Sequence, residues 1–74
     1  MAKAELITAY RDMLHGMATA ESLDELEVKH ILAGEIVENL LKCGTSKQEA
    51  EEYRQTIAVF FWKMRKLRIN EREI

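Results

Sequence analysis

Leu40-Leu41-Lys42-Cys43-Gly44-Thr45-Ser46-Lys47-Gln48-Glu49-Ala50 holds the end of one helix and the start of the next. Gly44 is the residue expected in left-handed conformation just past a helix C-terminus, because it has no Cβ to oppose positive φ. Beyond it, Thr45 with Gln48, or Ser46 with Glu49, can form a capping box. In that motif the hydroxyl accepts from the backbone N–H three residues on, and the longer side chain reaches back. The start of the second helix is therefore set to within one residue. A connection this short makes the two helices antiparallel neighbours.

Reading toward the N-terminus, Ser22-Leu23-Asp24-Glu25 is a further capping box, and its carboxylates suit the positive end of a helix dipole. The helix it opens should run over about 23–43, with Leu23, Leu26, Ala33, Ile36, Val37, Leu40 and Leu41 on its main apolar arc. Val28 and Ile31 fall outside that arc. His30 lies at its margin, where a half-buried histidine beside a carboxylate is expected. Before this helix, Leu6, Ile7, Tyr10, Met13, Leu14 and Met17 make a single stripe at helical spacing, predicting a helix over about 2–17. Gly16 weakens its last turn.

Toward the C-terminus no breaker follows Ser46, and a helix can continue over about 46–70. One stripe on it is Ala50, Tyr53, Ile57, Phe60, Phe61, Met64 and Leu67; a second, on the far side, is Ala58, Val59, Trp62 and Ile69. The segment Ile57–Trp62 is thus apolar all round, a pattern that belongs to a helix enclosed by other protein.

Composition agrees with a small helical domain. The chain has 74 residues, no proline and three glycines, 47% hydrophobic and 32% charged residues. That balance excludes disorder and leaves too few turn formers for a many-stranded β fold. The single cysteine cannot form an internal disulfide, and no signal-peptide pattern or membrane-length apolar run occurs, so a cytoplasmic setting is expected. Net charge is −2, and it is unevenly spread. Residues 63–74 carry five basic against two acidic side chains, whereas the preceding 62 carry six basic against eleven acidic. The expected fold is all-α: one domain over 1–74, a three-helix antiparallel bundle with a long C-terminal helix, dimerising through that helix.

Few residues invite chemistry. Asp12-x-x-His15 and Glu27-x-x-His30 have the carboxylate–histidine spacing of metal-binding bundles, but Asp12 and His15 lie opposite the apolar stripe and face water. Cys43 sits at a helix C-terminus, where the dipole works against a thiolate. Gly16, Gly34 and Gly44 stand alone, so no phosphate-cradling loop is present; Gly34 either admits a close neighbour or is merely tolerated. The expectation is a non-enzymatic protein without metal or cofactor.

A helix-turn-helix around residues 36–55 would share the punctuation of the opening stretch. Its second helix would bring Glu49, Glu51 and Glu52 toward phosphates, against the counterion-release term that dominates nucleic-acid affinity. The alternative of a nucleic-acid-binding transcriptional regulator, using that element or the basic C-terminal end, is therefore secondary. The main signal is surplus apolar surface. Exposed patches of this kind mark association sites, and two-fold pairing is the commonest way to cover one. The chain is expected to be a protein–protein interaction module of the adaptor, accessory or inhibitory kind. Its partners would be a second copy of itself and another protein, met through Val28, Ile31, Val59, Trp62, Arg65, Arg68 and Ile69.

Overall fold

The computed structural model describes residues 2–73 and consists there of three helices: α1 Lys3–Ala18, α2 Leu23–Lys42 and α3 Lys47–Glu73. The all-α three-helix bundle expected from the sequence is the fold observed. At 1.5 Å per residue the 16, 20 and 27 residues of these helices span about 24, 30 and 40 Å. α2 is central and packs against both neighbours, while α1 and α3 meet more sparsely. Glu38 pairs with Arg54 and His30 stacks on Phe61, so α2 and α3 run antiparallel along their shared length. Lys3 lies 3.8 Å from Glu49, which sets the starts of α1 and α3 side by side.

The helix ends form where local chemistry stops or starts the backbone ladder. Ser22 Oγ accepts from the Glu25 N–H at 3.1 Å. The Glu25 carboxylate reaches one residue further back than a standard box and accepts from the Glu21 N–H at 3.1 Å. At the other end of α2 the Thr45 N–H donates to the Leu40 carbonyl and the Gly44 N–H to that of Leu41, with Gly44 at φ +96°. This pair of bonds is the Schellman motif.

The structure chooses between the two possible caps of α3. Ser46 Oγ accepts from the Glu49 N–H at 3.1 Å. Thr45, the other candidate, is only 5% exposed, and its hydroxyl oxygen is buried without a hydrogen-bond partner. Two roles compete for Thr45, and the Schellman bond of its backbone wins. Once its N–H is committed to Leu40, the side chain turns into the corner instead of along α3.

The core has two centres. Near the α2–α3 turn, Tyr10, Ala33, Val37, Ala50 and Ile57 pack together. The Tyr10 ring meets that of Tyr53 edge-on at 4.8 Å, and its hydroxyl donates to the Tyr53 carbonyl at 3.3 Å. Near the α1–α2 turn, Met17, Ala20 and Leu26 are buried beneath Leu14, Leu23, Phe60, Phe61 and Met64. The Lys29 side chain crosses from α2 over Gly16, where an added Cβ would lie 3.2 Å from it, so an alanine there would ask that side chain to shift slightly.

Helix α3 extends three residues beyond its expected end and outruns α1. Leu67, expected on the core stripe, is consequently 49% exposed. Its azimuth suits burial, but α1 stops at Ala18 and offers nothing at that height.

Candidate protein interface

The apolar residues outside the two core centres concentrate on α2 and the second half of α3. Val28 and Ile31 are 53% and 54% exposed, Val59 and Trp62 69% and 60%. Arg65 is exposed, whereas Arg68 and Ile69 are half-buried. The expectation that Ile69 would sit in water beside Trp62 is corrected: only Trp62 and Val59 of that stripe are strongly exposed. Within this one chain the apolar run of α3 is not enclosed.

A ladder of rings ties the core to the basic end. His30 of α2 stacks on Phe61, with centroids 4.2 Å apart and planes 29° from parallel. Phe61 meets Trp62 edge-on at 5.7 Å, and the Arg65 guanidinium lies 5.2 Å from the centre of the Trp62 ring. The packed neighbour of His30 is thus an aromatic ring, not the carboxylate expected from the sequence. Arg65 over an indole is a cation–π pair, which holds the guanidinium at the surface with its N–H groups free to meet carboxylates.

Beside this ladder an open groove of about 420 Å³ runs between α2 and α3, with Ile31, Gly34, Glu35 and Glu38 on one wall and Arg54 and Ile57 on the other. Gly34 contributes to its depth, because a Cβ built there would find nothing within 4 Å. Val59 belongs elsewhere: it lines a separate hollow on the other flank of α3 with Thr56, Phe60 and Lys63. The structure therefore joins Trp62 to Arg65, puts Ile31 in the groove and leaves Val59, one turn before Trp62, exposed over the second hollow. Sequence reading passed over Leu32 and assigned Leu67 to the core stripe, yet both are exposed large apolar residues. Leu67 had a usable signal, since α3 was expected to be the longest helix.

Other chemistry has little footing. Asp12 and His15 are exposed on α1, and among the described residues no group of three or more His, Cys, Asp or Glu could hold a metal ion. Cys43 is exposed at the C-cap of α2. The turn at 43–46 joins helices that pack side by side, unlike the open crossing of a helix-turn-helix, at about 90–120°. Among the described residues no helix is long and apolar enough to cross a membrane. Comparison with known proteins adds no relative, for no family model, curated protein or solved structure matches the chain.

Proposed function

We propose that this chain is a non-enzymatic helical interaction module that works as a homodimer, pairing through α3 and presenting its basic, aromatic end to a further protein. The observation that carries this reading is the exposure of Trp62 and Val59 on a helix whose opposite side already forms the core. Single exposed apolar residues are ordinary on any surface. Here an indole, a valine and the Trp62–Arg65 pair occupy two turns of one helix, and Trp and Arg are the residues most enriched where binding energy concentrates.

Sedimentation equilibrium at micromolar concentration tests the proposal. The wild type should sediment as a dimer, and Trp62→Glu as a helical monomer. A wild-type monomer throughout that range would overturn the dimer. Duplex DNA binding that weakens with salt and survives Trp62→Glu would favour the nucleic-acid alternative.

A further inference from the structure

One side of α3, exposed at Glu51, Gln55, Trp62 and Arg65 and half-buried at Ala58 and Ile69, has its own register. Glu51, Gln55, Ala58, Trp62, Arg65 and Ile69 follow one another at alternating intervals of four and three, the spacing of a coiled-coil seam. Charge is distributed unevenly along this helix. Glu49, Glu51 and Glu52 occupy its first turns, and Lys63, Arg65 and Lys66 its later ones, all six exposed. A parallel copy would set like charges against each other, whereas an antiparallel copy sets acid against base.

The α2–α3 groove lies beside this seam and carries Glu35 on its α2 wall, while Glu38 is already paired with Arg54 across it. Gly34 leaves it open at mid-length, and nothing in the chain's own packing requires the missing side chain. A glycine in the interior of an exposed helix weakens that helix, so the open space is obtained at the expense of α2.

Resting on the dimer reading above, we infer that the occupant of this groove is the second half of α3 from another copy of the chain, antiparallel to the resident α3 about a two-fold axis at Phe60. In that register Trp62 of each chain lies over Ala58 of the other, a large side chain against a small one. Arg65 of each comes beside Gln55 of the opposing α3, within one turn of Glu51 and facing the Glu35 wall of the groove. The contact is isologous and closes on itself, as two-fold interfaces do.

The test is a charge exchange read by sedimentation equilibrium, with circular dichroism to confirm helicity. Arg65→Glu and Glu51→Arg should each weaken self-association by about tenfold or more, and the two together should recover part of it, because opposite charges meet again at this pair only when the helices are antiparallel, while Glu35 still faces position 65. Gly34→Leu should keep the chain helical, since its own structure has room for the side chain, and should weaken the dimer by filling the groove. A wild-type monomer would overturn the dimer reading and this one together. A dimer that dissociates with Trp62→Glu but ignores Gly34→Leu, or recovers nothing in the double exchange, would overturn the groove geometry alone.

Discussion

Replacing Thr45 by valine should stabilise the protein. Thr45 is 5% exposed, its N–H is bonded to the Leu40 carbonyl at 3.1 Å, and its hydroxyl has no partner. A buried hydroxyl left unsatisfied costs about 1–3 kcal/mol relative to one that is hydrogen-bonded. Valine has the same branched shape, so the backbone and the Schellman bonds can stay as they are. The new methyl group adds apolar burial on the order of 0.8 kcal/mol. Since part of this gain is lost to imperfect fit, a net stabilisation of about 1–2 kcal/mol is expected. For a domain of this size 1 kcal/mol moves Tm by roughly 4–8 °C, so the midpoint should rise by about 4–16 °C. Urea unfolding at one fixed protein concentration measures the same quantity as a higher midpoint at unchanged slope. Thr45→Ser supplies the opposite control: it keeps the hydroxyl and loses the methyl, and should be less stable than wild type. If Thr45→Val instead lost 1 kcal/mol or more, the hydroxyl would have to be working as a cap or in a bonded network, contrary to the geometry of this corner.

Two further perturbations follow from particular hydrogen bonds. Ser22→Ala and Ser46→Ala should each cost about 1 kcal/mol as lost N-caps, while Thr8→Ala, whose exposed hydroxyl bonds only to the Ala4 carbonyl, should cost little; denaturant melts ranking Thr8→Ala as the most damaging would refute the cap assignment. Burial raises the ionisation of the Tyr10 phenol above its usual value of 10.0, with Tyr53 reinforcing the shift and the Thr56 hydroxyl opposing it. The unfolded chain therefore gives up this proton first, so the Tyr10 contribution is complete below about pH 10 and is lost as the pH rises further. Tyr10→Phe should lack that alkaline loss, and a stability difference between the two proteins that stayed constant through pH 11 would show that Tyr10 is not the group responsible.

The helices were legible because their ends are written in short-range chemistry. Ser22 with Glu25, Gly44, and Ser46 with Glu49 act within four residues of themselves, and local sequence contains all of that information. Trp62 and Arg65 were legible as a pair for the same reason, since residues three apart on a helix are neighbours. What sequence could not settle depends on how whole helices end and turn against one another. Thr45 and Ser46 offer the same capping chemistry, and only the backbone bond to Leu40 decides between them. Leu67 has the azimuth of a core residue and lacks only a neighbour at its height. His30 could have met a carboxylate or a ring, and the rotation of α2 about its axis selected Phe61. The groove at Gly34 is likewise a product of two helix surfaces, neither of which announces it alone.

The thin core and the uncovered helix are two consequences of one distribution of side-chain volume. Of the ten hydrophobic residues buried among those described, three are alanines, and no Phe or Trp is among them. Aromatic side chains bury about 150–250 Å² each, the largest apolar contribution a residue can make. This chain places three in succession at Phe60, Phe61 and Trp62, half-buried, half-buried and exposed in turn. Phe60 and Phe61 roof the second core centre, and a single core of this size contributes only about 3–5 kcal/mol, so leaving most of the indole in water forgoes a sizeable part of the available stability. Association recovers it without enlarging the chain: a partner present at a hundred times its dissociation constant adds about 2.7 kcal/mol. Under the proposed pairing, the indole that the monomer leaves in water becomes the residue that each copy inserts into the other. The alanines that make the core thin let the three helices approach closely, and the indole that stays outside it is what the proposed pairing would cover.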